Sequence, residues 1–132
     1  MWDWIPGVRV GAFVFGQPLP AALPVSLRRL PASDDGTDWL SYEVGEHLAR
    51  VEVEAGLVVA VECFQSLTLR GHELLRRSIA EALQILPDVA RLAERYGGGD
   101  ERWECDALGL MLWCEQGVVT SASLSTITTA QE

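Results

Sequence analysis

A chain of 132 residues, 48% hydrophobic and 22% charged, is expected to form a single domain (1–132) that buries about two-thirds of its unfolded surface; a disordered acidic tail is excluded. With 19 acidic against 10 basic side chains the net charge is −9, the wrong sign for a phosphate backbone, so nucleic acid is not an expected partner. No apolar run approaches the roughly 20 residues that span a bilayer, and Met1-Trp2-Asp3-Trp4-Ile5-Pro6 lacks a basic-then-apolar leader pattern, so no membrane is expected and the predicted compartment is cytoplasmic.

In chain order, residues 1–7 read as a tryptophan-bearing lead-in and Val8 to Phe15 as a first strand ended by Gly16. Pro18, Pro20 and Pro24 forbid a long helix in the segment that follows. Ser33-Asp34-Asp35-Gly36 has the residues of a turn. Trp39 to Val44, Ala49 to Glu54 and Leu57 to Phe64 then predict an antiparallel meander, with Ala55-Gly56 as a two-residue hairpin connection. Along Arg50-Val51-Glu52-Val53-Glu54 charge and valine alternate, so one face is buried and the other wet. Leu67 to Gly71 opens a further strand or turn. Leu75, Ile79, Ala82, Leu83 and Leu86 recur at helical spacing and predict a helix from about His72 to Leu86, with a second from Asp88 to Tyr96 closed by Gly97-Gly98-Gly99. Strands are predicted at Arg102 to Asp106, Leu108 to Glu115 and Val118 to Leu124, with Gln116-Gly117 as turn and a frayed, Thr-rich tail from Ser125.

The second half repeats the first. An offset of 61 places Glu43 on Glu104, Glu54 on Glu115, Gly56 on Gly117 and Val58 on Val119. Upstream, an offset of 55 places Phe13-Val14-Phe15-Gly16 on Thr68-Leu69-Arg70-Gly71. Fixed-period similarity sets architecture. The expected fold is therefore α+β: two tandem helix-plus-antiparallel-meander units (about 8–64 and 67–124) forming one curved sheet of six to eight strands. Helices would cover one face and leave the other open.

Chemistry-bearing motifs are sparse. Cys63, Cys105 and Cys114 are odd in number, lie in apolar runs and show no Cys-x-x-Cys spacing, so reduced core cysteine is expected and no metal site. No nucleophile elbow or phosphate-binding glycine loop precedes a helix. Neither enzymatic activity nor a cofactor is expected.

The sharper signal is on the wet face. By the offset of 61, Arg50, Glu52 and Glu54 correspond to Met111, Trp113 and Glu115, and alternation puts all six on one side of the sheet. Apolar surface left in water forgoes about 25 cal/mol per Å². Trp113 and Met111 are thus expected either to be covered by the Trp2/Trp4 segment or the tail, or to form a docking surface ringed by carboxylates. A plain solvated face is the competing expectation for the glutamates. Trp103, which aligns with Tyr42, is expected at the core or the sheet edge.

Phe15-Gly16, the hairpin Val53 to Val61, Leu69-Arg70-Gly71-His72-Glu73-Leu74-Leu75 and the closing run Leu108 to Val119 together resemble small bacterial immunity proteins encoded beside polymorphic secreted toxins. The tandem layout is also similar to beta-lactamase-inhibitor-protein-like folds. The resemblance implies a non-catalytic inhibitor whose open sheet face covers a cognate toxin, a basic one given the charge here, as a free monomer or in a 1:1 complex. The contact residues expected are Arg50, Glu52, Glu54, Met111, Trp113 and Glu115. The alternative is a small-ligand or lipid-binding module with an apolar pocket lined by Trp39, Trp103 and Trp113; a third is an assembly subunit that dimerises through the same face.

Overall fold

The computed structural model describes residues 2–23, 25–31, 39–88 and 90–126. The predicted turn at Ser33 to Gly36 and the tail beyond Thr126 lie outside them. Three short strands open the chain: β1 (Trp4–Ile5), β2 (Arg9–Val10) and β3 (Phe13–Val14), which form a small sheet of their own. β4 (Leu27–Arg29), β5 (Trp39–Val44), β6 (Ala49–Glu54) and β7 (Leu57–Cys63) follow. A second small hairpin, β8 (Thr68–Leu69) with β9 (His72–Glu73), leads to the helix α1 (Ile79–Ile85). The chain then forms β10 (Leu92–Arg95), β11 (Glu101–Cys105), β12 (Leu110–Glu115) and β13 (Val118–Ser125). The main sheet has eight antiparallel strands in the order β10-β11-β12-β13-β7-β6-β5-β4.

Within that sheet the 61-residue offset governs register. Val44 pairs with Ala49 and Cys105 with Leu110; Tyr42 pairs with Val51 and Trp103 with Leu112. Opposite Glu52 and Val53 a bulge leaves Val59 as the extra residue of β7, and opposite Trp113 and Cys114 a bulge leaves Thr120 as the extra residue of β13, the equivalent place. Both hairpin turns take positive φ at both central residues, 54° and 82° at Ala55-Gly56 and 55° and 80° at Gln116-Gly117, as a two-residue turn with matching twist requires. The halves meet where β7 pairs with β13, and Glu62 lies opposite Ser123, which is its own counterpart in the repeat. A pseudo-twofold axis therefore passes through the Glu62–Ser123 pair.

The expected α+β layout of two helix-plus-meander units is corrected. The protein is mostly β, and among the described residues α1 is its one α-helix, seven residues long and confined to the second half. In the first half the prolines exclude a helix and residues 18–23 take neither helix nor strand. In the second half the helix starts seven residues later than the apolar spacing suggests. Arg70 and Gly71 (φ 53° and 82°) turn the chain between β8 and β9, so His72 and Glu73 are strand. Ser78 then caps α1: its Oγ accepts from Glu81 N (3.2 Å) while Ser78 N donates to Glu81 Oε1 (3.4 Å), a reciprocal capping box. Leu86 is extended (φ −72°, ψ 150°) because Pro87 follows it.

The predicted second helix, Asp88 to Tyr96, is instead the edge strand β10. Gly98 and Gly99 reverse the chain at φ 83° and 88°. The resulting hairpin is laced by Arg95–Glu101 (3.2 Å) and Arg102–Glu94 ion pairs. The upstream offset of 55 is corrected too. Arg9↔Val14 and Val10↔Phe13 match Thr68↔Glu73 and Leu69↔His72, an offset of 59. The sequence match had paired Gly16 with Gly71, whereas the turn equivalent to Arg70-Gly71 is Gly11-Ala12.

The core lies on one side of the main sheet. Val51, Val53, Val61, Cys63, Leu112, Cys114, Ala122 and Leu124 point to it. Trp4, Phe13, Leu67, Leu69, Leu74, Leu75 and Ala82, from the small hairpins, their flanks and α1, close over them. Each hairpin is tied to the sheet in the same way. Gly16 N donates to Val58 O (2.9 Å) and Val58 N to Gln17 O (2.8 Å); Arg76 N donates to Val119 O and Val119 N to Arg77 O, both 2.8 Å. Trp2 stacks on Phe13 with ring centroids 6.1 Å apart, so the N-terminal tryptophans belong to this covered side.

Candidate functional site: the open sheet face

The opposite side of the sheet carries none of the core residues, and among the described residues no helix or strand is stacked on it. Alternation and register assign its side chains. β6 contributes Arg50, Glu52 and Glu54, and β12 contributes Met111, Trp113 and Glu115. Cross-strand partners extend the face: Ser41 and Glu43 on β5, Ala60 and Glu62 on β7, Ser121 and Ser123 on β13, Arg102 and Glu104 on β11. The six residues singled out from the sequence thus share one face. They form two groups, separated by β7 and β13.

The pseudo-twofold axis makes the contrast between those groups plain. One half presents Arg50, Glu52 and Glu62; at the equivalent places the other presents Met111, Trp113 and Ser123. The scaffold is symmetric and its chemistry is not.

In the charged half Ser41 Oγ donates to Glu52 Oε1 (2.6 Å), and Arg50 lies 3.6 Å from Glu52 and 3.8 Å from Glu62. Arg28 pairs with Glu43. That hydrogen bond, together with the Arg28 charge, holds the Glu43 carboxyl below its ordinary value. Burial pushes Glu62 above its ordinary value, Arg50 opposes the shift and Glu52 adds to it.

In the aromatic half Trp113 is half-buried and its Nε1–H donates to Glu115 Oε2 (3.1 Å). Among the described residues the side chain that shields it is not Trp2 or Trp4 but Tyr96, whose ring lies 5.5 Å away at 46°; the tail beyond Thr126 lies outside those residues. Tyr96 OH donates to Glu94 Oε1 (3.3 Å), and Arg102 bridges Glu94 and Glu104, the latter at 3.1 Å. Leu92, at the sheet edge, is 66% exposed. Over the whole face Glu43, Glu52, Glu54, Glu62, Glu94, Glu104 and Glu115 stand against Arg28, Arg50 and Arg102. A hollow of 490 Å³ opens at the loop end of the β7–β13 seam, where Ala60, Ser123 and Ser125 are small and Met111, Glu104 and Asp106 form the wall.

Leu92, Glu94 and Tyr96 are not found from the sequence because the segment 88–96 reads there as a helix; Arg102 falls in a predicted strand but has no partner to reveal it until β10 is in place. Leu92-Ala93-Glu94-Arg95-Tyr96 shows no apolar–polar alternation, and the one local signal is the triple glycine that follows, which suits a hairpin turn as well as a helix end. The three tryptophans suggested as a pocket lining do not converge. Trp39 and Trp113 lie on one face with three strands between them in the sheet order, and Trp103 points to the other side, its Nε1–H donating to Glu101 Oε1 (3.0 Å). Cys63, Cys105 and Cys114 are buried and free. Burial pushes Cys63 up to about 12 and Cys114 to about 11, so neither thiol is a nucleophile near neutral pH.

No family model matches the chain, and no curated protein or solved structure matches it significantly. No helix among the described residues is long and apolar enough to cross a membrane.

Proposed function

We propose that the chain is a non-catalytic binding protein of the immunity type, and that its open face docks on a basic protein partner, a cognate toxin, and blocks it. The observation that carries this reading is a sheet face on which, among the described residues, no helix or strand is stacked, and which bears seven carboxylates against three guanidiniums, with an indole and a thioether on β12. Eight strands about 4.8 Å apart, three to eight residues long, make a platform of roughly 700 Å², close to the ~800 Å² per partner of a standard inhibitor interface. Complementary charge speeds encounter and rejects wrong partners, while Trp113 and Met111 supply apolar surface that a partner would desolvate. Buried, unpaired thiols suit work in a reducing cytoplasm.

The test is the pair of substitutions Trp113→Ala and Glu115→Lys. Both side chains lie on the face without core residues, so the thermal midpoint is expected to change little. Affinity for the partner is expected to fall by about two orders of magnitude, the scale of a lost central aromatic plus a reversed charge. Titration calorimetry against a basic toxin domain, sought among the products of neighbouring genes, would check it. Unchanged affinity would remove this face from the interface.

A further inference from the structure

We infer that the Tyr96–Trp113 pair is a seat for an arginine side chain of the partner; the inference rests on the docking role proposed for this face and specifies what is recognised there. Four observations converge on a cation of that shape. The two rings stand 5.5 Å apart at 46°, an open angle with Tyr96 44% exposed. Each ring has its polar atom fixed to a carboxylate, Trp113 to Glu115 and Tyr96 to Glu94. This orients both rings, and what remains accessible is the ring of Tyr96 and the part of the half-buried indole that it does not shield. A guanidinium is planar, weakly hydrated and stacks on such faces, and Trp is the ring that binds cations best. Glu115 is exposed and accepts the indole hydrogen through Oε2; a carboxylate has about four lone-pair sites, so it can also accept from a guanidinium lying across the indole.

The seat is held by backbone as well as side chains. Tyr96 N donates to Asp100 O (2.9 Å), closing the β10–β11 turn, and Gln116 Nε2 donates to Gly98 O, tying that turn to the β12–β13 hairpin that carries Trp113 and Glu115. The two rings come from different hairpins and are fixed relative to one another before any partner arrives, which lowers the ordering cost of binding. Arg102, directly across from Trp113 in the ladder, already occupies Glu94 and Glu104. Its charge is the repulsive element next to an otherwise acidic, aromatic seat.

The experiment titrates the full chain with acetyl-Gly-Arg-Gly-amide and with the same peptide carrying citrulline, which keeps the shape and removes the charge. Indole and backbone amide resonances are followed by two-dimensional NMR. The arginine peptide is expected to shift the Trp113 indole resonance saturably, with a midpoint about fivefold or more below that of the citrulline peptide. Tyr96→Ala, a change at an exposed residue, is expected to weaken the arginine peptide to the citrulline level. Arg102→Gln is expected to tighten it, as a purely apolar seat would not. Equal midpoints for the two peptides, or no effect of Tyr96→Ala, would overturn the seat. If the arginine peptide instead shifts only the Glu52 and Glu54 amides, the seat fails while cation docking on this face survives; if it shifts no residue of the face, both fail.

Discussion

Glu62 is the residue at which the symmetry of the sheet and the chemistry of its open face meet. It pairs across the seam with Ser123, in a place where burial raises its carboxyl above the ordinary 4.5 despite Arg50 at 3.8 Å. A raised value means that the folded state holds the proton more tightly than the unfolded chain. The stability from this group is therefore complete below pH 4.5 and is lost as pH climbs through the folded value. Glu62→Gln is expected to be more stable than the parent at pH 7 and equal to it below about pH 4. Urea midpoints at the two pH values check this. A lower midpoint for the variant at pH 7 would show that the Arg50 pair outweighs burial. The same pair explains why one arginine serves two carboxylates here: Ser41 carries part of the hydrogen bonding of Glu52, leaving Arg50 to divide its charge between Glu52 and Glu62.

Among the elements, the hairpins carry the most information. The turn at Ala55-Gly56 demands φ of 54° at a residue with a Cβ, a conformation that costs a non-glycine residue about 1 kcal/mol and that Asn tolerates better. Ala55→Asn is expected to raise stability by about 0.5–1 kcal/mol without altering the open face, measured as a shift in urea midpoint at constant slope; no gain would mean that the alanine is not strained there. Gly109 marks the other demanding turn, where φ is 64° and a Cβ would sit 2.4 Å from Ser125 O. That close approach lets Ser125 N donate to Gly109 O (2.8 Å) and holds the end of β13 beside the hollow at the seam. The helix, by contrast, is an accessory. Seven residues are too few to be stable alone, and α1 exists because Ser78 caps it and Ala82 and Leu86 are buried in the core.

For the molecule as a whole, two copies of one meander, joined through their third strands, make a platform that either copy alone would be too narrow to provide. Because the small hairpins and α1 all gather on one side, the other side is free of core residues and holds the charge imbalance. Binding of a basic partner to it is expected to weaken about tenfold or more between about 50 and 500 mM salt, mostly through a slower association rate. Stopped-flow association at several salt concentrations would check this; a salt-independent rate would place the contact away from the carboxylates.

The amino-acid sequence alone determined the six long strands of the two meanders, their turn positions and the side of the sheet on which Arg50, Glu52, Glu54, Met111, Trp113 and Glu115 lie. Each of these follows from a period of two and from turn residues adjacent in the chain, and both are local signals. Only the tertiary structure decided the rest. The leucines of 74–86 have helical spacing, but Leu74 and Leu75 are buried by a hairpin turn at Arg70-Gly71 and not by a helix face. The segment 92–95 became a strand because β11 offered it a ladder and ion pairs, a gain invisible in its own composition. The Tyr96–Trp113 contact and the Glu62–Ser123 axis join residues far apart in sequence, and such contacts are fixed by how the strands assemble and not by any run of neighbours.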